Sequence, residues 1–390
     1  MGNDGETWFH LVDAEIANER AALRWFVDQQ QVEAALDIAG NLAWFWTDPG
    51  YIAEGRTWFA SLLADASDRM SPVTRAKAFG AAGDLADWHA DTATALAHNT
   101  EALALWRLAG DREQIGDTLR SLGSSAIDVF SLDEAETLLA EAYDLALDVG
   151  DDWSAAASAN LRGTAATYRN ELASAIRWHE SALRGWQAMG DAAHLPTALS
   201  RLGWAWLLSG DLQRAMECCD TVLRLSEGAA AANDATFAML VLATAVVRME
   251  RKDVAVRLVA AALNRRRQVG LPLRPPAQVS IDRELATLRS SIGEAGFARL
   301  WSEGLAMTFP EAVALARDVP AMLPTVTDGL SPREREVLRL LVEGASDHEI
   351  AERLFITRRT ASKHVAAILD KLGASNRTSA ATIAHRRGLV

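Results

Sequence analysis

Basic side chains gather in one short segment near the C-terminus of this 390-residue chain. From Arg358 to Lys371 there are four basic residues and one acidic residue. Arginine and lysine at helical spacing can pair with nucleic-acid phosphates and with base edges in the major groove. The alternative is a basic helix face that is only solvated.

Residues of catalytic type occur without the spacing that catalysis needs. His348-Glu349 starts like a zinc-protease helix but has no second histidine, and His179-Glu180 fails in the same way. There is no G-x-S-x-G string and no spaced Cys/His set. We therefore predict that the chain is not an enzyme and uses no metal or cofactor.

The only two cysteines, Cys218 and Cys219, are adjacent in the sequence. Neighbouring cysteines do not form an ordinary structural disulfide, so a reducing cytoplasm fits best. One buried and one half-buried helix thiol is the simpler interpretation, and a redox pair is the alternative.

Capping signals divide the last 60 or so residues into four helices. Ser331 with Glu334 and Ser346 with Glu349 are two capping boxes, because a hydroxyl residue precedes a glutamate by three positions. Thr357 caps a third helix and Asn376 a fourth. The second and third helices are separated by a very tight turn, which predicts a helix-turn-helix arrangement.

The third of these helices has two distinct faces when its residues are placed at 100° intervals. Its predicted buried stripe is Ala361, Val365, Ile368 and Leu372. Its predicted outer face is Arg359, Lys363, Ala366, Ala367 and Asp370, with Arg358 and Ser362 beside it. Small alanines would let this helix approach the groove floor, and its N-terminal N–H groups can bind phosphate. His364 lies between the two faces, so packing and phosphate contact stay open for it.

The longer N-terminal part repeats every 40 residues. Three columns recur at this step: Gly83, Gly123, Gly163 and Gly203; Ala95, Ala135, Ala175 and Ala215; Ala102, Ala142 and Ala182, followed by Val222. Small residues belong where two helices cross closely. Gly-Asp pairs at residues 110, 150 and 190 read as helix C-caps. The pattern predicts stacked helical hairpins that form a superhelix.

Glycine followed by alanine after 12 and 19 residues resembles the small-residue skeleton of the tetratricopeptide family. The 40-residue unit is similar to the helical-repeat region of large bacterial LuxR-type regulators. Pairs such as Trp204 and Trp206 cannot both face the same helix interface. Core packing is the simpler interpretation of the tryptophans, and a groove for a planar ligand is the alternative.

The C-terminal 62 residues resemble the LuxR-type helix-turn-helix domain. The matching residues are Leu330, Arg333-Glu334, Glu336-Val337-Leu338, Leu341, Gly344, Ser346, Glu349-Ile350-Ala351, Leu354, Ile356, Thr360, Lys363-His364-Val365, Ile368, Lys371-Leu372, Asn376-Arg377 and Ala380. The resemblance implies a third helix in the major groove and a fourth helix for dimer contact. It also implies base reading at Ser362, Lys363 and Ala366.

Large LuxR-type regulators usually carry an N-terminal nucleotide-binding domain. This sequence contains no G-x-x-x-x-G-K-[ST] string, so ATP-driven switching is not expected. Either that domain was lost, or the chain is a short relative or a fragment.

The formal net charge of −13 is unevenly distributed. Residues 329–390 carry 11 Lys and Arg against 7 Asp and Glu, a balance of +4, which leaves −17 for the rest. A small basic module on an acidic body is typical of a protein that meets a polyanion. No apolar stretch approaches the roughly 20 residues of a membrane span, and no secretory signal is visible.

We predict an all-α chain: a tetratricopeptide-like right-handed superhelix followed by a four-helix LuxR-type helix-turn-helix domain. The expected domains are a repeat body at 1–317, a linker at 318–328 and a DNA-binding domain at 329–390. The predicted partners are double-stranded DNA, a second copy of the chain and an effector or protein in the superhelix groove. The predicted DNA-contacting residues are Thr357, Arg358, Arg359, Thr360, Ser362, Lys363, His364, Ala366 and Lys371. The main alternative is a protein-docking scaffold with a vestigial DNA-binding tail.

Overall fold

The computed structural model describes residues 3–48, 50–65, 70–225, 232–322, 330–386 and 389. Within these ranges every regular element is a helix. The all-α prediction is therefore confirmed. No helix in the described part of the chain combines the length and the apolar character that crossing a bilayer requires.

The chain begins with three helices and a short 3-10 turn. They are α1 (Asn3–Asp28), α2 (Val32–Leu42), a 3-10 turn (Phe45–Thr47) and α3 (Ile52–Ala64). Their shared core centres on Phe45, Trp46 and Phe59, which are almost completely buried. Trp44 is exposed while Trp46 is buried, because residues two apart on a helical turn point in different directions.

Five antiparallel helical hairpins follow. They are α4 (Pro72–Trp88) with α5 (Thr92–Ala109), α6 (Arg112–Asp128) with α7 (Leu132–Val149), α8 (Asp152–Tyr168) with α9 (Leu172–Met189), α10 (Leu195–Ser209) with α11 (Leu212–Leu225), and α12 (Ala232–Arg248) with α13 (Lys252–Gln268). Each helix packs on the other helix of its hairpin and on the next hairpin. This is the predicted tetratricopeptide-like stack.

Each glycine of the column lies close to the second helix of its hairpin in the first four hairpins. An added Cβ would meet the residue 16 positions later, Asn99, Leu139, His179 or Cys219, and at Gly203 it would meet Ala215 and Cys218 as closely. At Gly163 an added Cβ would lie 2.7 Å from ring atoms of His179. The predicted close helix crossing is therefore confirmed. The alanine columns and Val222 are buried as well.

Each fully described 40-residue unit of the stack contains two turns with a left-handed backbone conformation, one after each helix. Gly110, Gly150 and Gly190 end the second helices at φ between 70° and 76°, as predicted. The turns inside the hairpins also need positive φ, but residues other than glycine occupy most of them. Ala90, Phe130, Asn170 and Glu250 adopt φ between 58° and 61° at intervals of 40 or 80 residues.

The end of the body differs from the sequence prediction. A helical pair was expected from about Val279 to Ala316, but three helices occur: α14 (Pro275–Ile292), α15 (Glu294–Ala306) and α16 (Phe309–Arg317). A 3-10 turn (Val319–Met322) continues the body, because Val319 is buried in the same core as α12 and α13. Residues 323–328 of the expected linker lie outside the described residues.

Arg266, near the end of α13, is a buried charge in a run of three arginines. The run Arg265-Arg266-Arg267 reads as a solvated helix end, yet Arg266 is only 7% exposed. Its guanidinium donates to Asn233 Oδ1 at 2.9 Å, to Thr236 Oγ1 at 3.0 Å and to the Pro272 carbonyl at 2.9 Å. Three neutral acceptors that converge on one guanidinium make its burial possible.

The C-terminal domain has four helices and its own apolar core. The helices are α17 (Pro332–Val342), α18 (Asp347–Arg353), α19 (Arg358–Leu372) and α20 (Arg377–Arg386). All four contribute to the core, for example through Leu338, Ile350, Ile368 and Ala380. The four predicted helices are therefore confirmed.

Candidate nucleic-acid interface

The start of α19 is fixed by two threonines. The Thr357 side chain accepts a hydrogen bond from the Thr360 backbone N–H at 3.2 Å, and the two hydroxyl oxygens lie 2.8 Å apart. A capped N-terminus holds the remaining free N–H groups of the first turn in place, where they can meet an anion. Both threonines belong to the predicted DNA-contacting set.

The two faces of α19 are those that the helical wheel predicts. Ala361, Val365, Ile368 and Leu372 are buried. The predicted contact residues Thr357, Arg358, Arg359, Ser362, Lys363, Ala366 and Lys371 are exposed, while Thr360 and His364 are half-buried. One continuous outer surface of α19 therefore carries most of the predicted set.

Three cations on this surface form no side-chain hydrogen bond or ion pair with the described residues, although the charge of Arg358 helps to lower the pKa of Asp347. Among the described residues, Arg358, Arg359 and Lys363 form neither a hydrogen bond through the side chain nor an ion pair. Most other arginines of the C-terminal domain are engaged, as in Arg353 with Glu343 at 2.7 Å. Free guanidinium and ammonium groups on one helix face suit a polyanion.

The hydroxyl of Ser362 is hydrogen-bonded to another side chain of the same domain, a contact that the sequence did not predict. Its hydroxyl donates to Asp347 Oδ2, and Arg377 donates to Asp347 Oδ1 at 2.5 Å. Arg377 also donates to the Ala345 carbonyl at 2.5 Å. The hydrogen bond from Ser362 and the ion pair with Arg377 lower the pKa of Asp347. Asp347 thus joins the starts of α18, α19 and α20.

Lys371 is also held within the domain. Its ammonium donates to both carboxylate oxygens of Glu334, at 2.8 and 2.7 Å. Glu334 is nearly buried and completes the capping box of α17 by accepting from the Ser331 N–H at 2.6 Å. Hydrogen bonds from Lys371 and Ser331 lower the pKa of Glu334 to about 2. This pair fixes the end of α19 against the start of α17.

The turn between α18 and α19 is fixed at both of its sides. Arg333 on α17 donates to the Leu354 carbonyl at 2.5 Å, and the Ile356 N–H donates to the Ala351 carbonyl at 2.9 Å. Phe355 adopts φ of 52° and its side chain is 96% exposed. The angle between the two helices is thereby set by backbone contacts rather than by the side chain of Phe355.

Sequence reasoning missed Asp347 and Arg377. Asp347 lies 15 residues from Ser362 and 30 residues from Arg377, so no local pattern connects them. The second capping box, which places Asp347 at the first turn of α18, is the only signal that points to its position. Across the described residues, no group of three or more His, Cys, Asp or Glu side chains is arranged to hold a metal ion.

Comparisons with known proteins agree with this geometry. Residues 328–384 match the family model of bacterial regulatory proteins of the luxR family. LiaR, a transcriptional regulatory protein of Bacillus subtilis, is 49% identical over 63 residues, which are 16% of this chain and 30% of LiaR. The four C-terminal helices are thus a LuxR-type helix-turn-helix domain.

A longer similarity covers almost the whole chain. Mb0914c of Mycobacterium bovis, named as an HTH-type transcriptional regulator, is 23% identical in an alignment that covers 99% of this chain. The chain spans 62% of the length of that relative. Among solved structures, NprR in complex with its cognate peptide NprX aligns with 92% of this chain and 98% of its own, at 14% identity and a TM-score of 0.49.

Proposed function

We propose that the protein is a sequence-specific DNA-binding transcription regulator. The observation that carries this function is the outer face of α19, where Arg358, Arg359 and Lys363 are exposed and unpaired on a domain of LuxR type. A helix of this kind fits the major groove, whose base edges distinguish all four base pairs. Since it acts on the chromosome, we expect it in the cytoplasm.

Each predicted residue has a role in this interface. Arg358, Arg359, Thr360, Lys371 and His364 contact phosphates, and Thr357 presents the N-terminus of α19 to the backbone. Ser362 and Lys363 read base edges, and Ala366 leaves room for close approach. For Ser362, reading a base requires its hydroxyl to exchange or share the hydrogen bond with Asp347.

We further propose that two copies bind together through α20. Two-fold symmetric helix-turn-helix dimers place their recognition helices one DNA turn apart, about 34 Å. The expected operator therefore has two half-sites with that spacing.

The repeat body is proposed to control DNA binding by taking up an effector or a protein partner. Stacked hairpins bury their apolar faces against one another and leave a long inner surface for a ligand. The alternative, a docking scaffold with a vestigial tail, has no need of unpaired cations on α19.

Selection of genomic fragments by the purified full-length chain tests the proposed function. We expect a small set of related sites, with log K falling linearly as log salt rises, by about 0.9 for each phosphate contact. Failure to enrich any sequence at low salt would overturn the function and favour the scaffold.

A further inference from the structure

The inner surface of the described hairpin stack contains an arginine, Arg201, whose guanidinium has no hydrogen-bond acceptor and no ion-pair partner among the described residues. We define the inner face by Asp87, Asp128, Tyr168, Arg201 and Phe237, which lie on α4, α6, α8, α10 and α12. Arg274, at the start of α14, donates to Asp87 at 2.8 and 2.6 Å and to Asp128. Because these partners are 187 and 146 residues away in sequence, the stack curves and the segment before α14 closes over its inner face.

Arg201 lies on this inner face. Its guanidinium carbon is 3.8 Å from the centre of the Phe237 ring. Among the described residues it has no hydrogen-bond acceptor and no ion-pair partner, although it is only partly exposed. Removal from water lowers the pKa of Arg201, while Tyr168 and the carboxylates of Asp234 and Asp128 oppose this effect. Its five N–H donors have no protein acceptor there, so they can donate to a ligand.

The carboxylates near Arg201 accept their hydrogen bonds from other residues, although Asp234 and Asp128 still attract the Arg201 charge. Asp128 is held by Arg274, and Asp234 accepts from Thr197 at 2.8 Å and from Ser200 at 3.4 Å. Arg266, described above, has three acceptors of its own. Arg201 is therefore the one cation of this cluster that remains available to a ligand, within the described part of the body.

An aromatic row lies beside Arg201. Tyr168 and Trp204 have ring centres 5.0 Å apart, and Trp204 and Phe237 have ring centres 6.0 Å apart, both edge to face. Tyr168 and Trp204 are half-buried, so part of each ring is accessible. Accessible aromatic edges and faces next to a cation suit an organic molecule with an apolar body and one anionic end.

We propose that Arg201 binds the carboxylate of a small organic acid whose apolar part rests on Tyr168 and Trp204. A guanidinium and a carboxylate match as two parallel N–H···O bonds. Asp128 and Asp234 lie near Arg201, and their negative charges repel a phosphate dianion more strongly than a carboxylate, so a carboxylate fits better. The ligand class deepens the regulator function proposed above, since this acid is then the effector.

Titration calorimetry and ligand-observed NMR on the full-length chain test the site with defined probes. Phenylacetate and 3-phenylpropionate are the carboxylate probes, phenylacetamide is the uncharged control, and phenyl phosphate is the competing anion. We expect the carboxylates to bind and the amide not to bind. Arg201→Met should weaken carboxylate binding by about 10- to 100-fold, and Arg201→Lys should retain part of it.

Several outcomes would overturn the carboxylate site. These are the absence of binding by either carboxylate, equal binding of the amide, preference for phenyl phosphate, or undiminished binding by Arg201→Met. DNA binding by the wild-type chain is measured apart, without probes. If the wild-type chain does not bind DNA, the regulator function is refuted. The calorimetry would still test the carboxylate site independently.

A matched pair of variants separates ligand binding from a structural role. Arg201→Met removes the cation–π contact with Phe237 but no hydrogen bond, so the thermal midpoint should fall little. Arg266→Met removes three hydrogen bonds from a neighbouring arginine, so the midpoint should fall. An equal fall in both variants would make Arg201 a structural residue and contradict the proposed site.

Discussion

The imidazole ring of His179 on α9 lies directly against the backbone of Gly163 on α8, where it fills the space that a side chain at residue 163 would need. An added Cβ would lie 2.7 to 2.8 Å from three ring atoms. His179 is fully buried, and its Nδ1 is 2.8 Å from Asn160 Oδ1. The ring therefore has no free space into which it could move.

Replacing this glycine should destabilise the body. Gly163→Ala forces the ring or the helix axis to shift, and we expect a loss of about 1–3 kcal/mol in the free energy of unfolding. The control is Gly80→Ala on α4, where an added Cβ meets nothing within 4 Å. At this position, replacing a helical glycine by alanine should raise the free energy of unfolding by about 0.5–1 kcal/mol. Denaturant titration of the full chain compares the two, and equal effects would contradict the close crossing.

The same histidine should make stability depend on pH. Burial, with a further effect of the Arg201 charge, lowers the pKa of His179 to about 3 from 6.5. Below pH 6.5 the unfolded chain takes up a proton that the folded chain does not. The contribution of His179 is therefore complete above pH 6.5 and is lost as the pH falls toward 3.

Between pH 7 and pH 5 this loss should be about 2 kcal/mol. His179→Asn removes the titrating group and keeps a polar side chain, like that of Asn99, which faces Gly83. Unfolding measured at several pH values should show a flatter dependence for the variant. Parallel curves for wild type and variant would mean that His179 binds its proton equally well in the folded and the unfolded chain, which would contradict the lowered pKa.

The pair of Glu334 and Lys371 should stabilise the C-terminal domain. Glu334→Gln keeps the hydrogen-bonding shape but removes the charge, so α19 is held less firmly against α17. We expect a loss of about 1–2 kcal/mol, since Lys371 is partly exposed. Hydrogen exchange of the backbone amides in α17 and α19 measures this loss of stability in the full chain. Glu336→Gln, which weakens an exposed ion pair with Arg333 on the same helix, is the control and should cost less, because exposed ion pairs contribute little.

The acidic body should restrain the basic domain. The net charge of −17 on the body and of +4 on residues 329–390 predicts attraction between the two parts. We expect an effector or partner of the body to relieve this attraction. Residues 318–390, whose four helices have their own core, should bind operator DNA more tightly than the full chain at low salt. Fluorescence anisotropy provides the comparison. Equal affinities would count against restraint by the body.

Local signals in the sequence predicted much of this fold. The caps at Ser331, Ser346 and Thr357 and the buried stripe of α19 depend only on residues within one or two turns. The glycine columns were visible because the same small residue recurs at each crossing. The residues that face those glycines share no type, so their column could not be recognised.

Contacts between distant residues were beyond the sequence. Arg274 reaches Asp87 across 187 residues only because the stack curves. The sequence of a single repeat does not predict that curvature. The arginine run at residues 265–267 looks solvated in the sequence because the acceptors of Arg266, on Asn233 and Pro272, come from other segments. Asp347 and Arg377 likewise meet only after α18 and α20 have packed.

The most direct test of the account is the effect of Lys363→Ala on affinity for a genomic site selected by the full-length protein. We expect a loss of about 1–3 kcal/mol for the selected site and a smaller loss for random DNA. Arg339→Ala, which removes one exposed charge from α17 instead of α19, should change either affinity little. Unchanged affinity of Lys363→Ala for the selected site, or an equal loss on both DNAs, would contradict base reading by the outer face of α19.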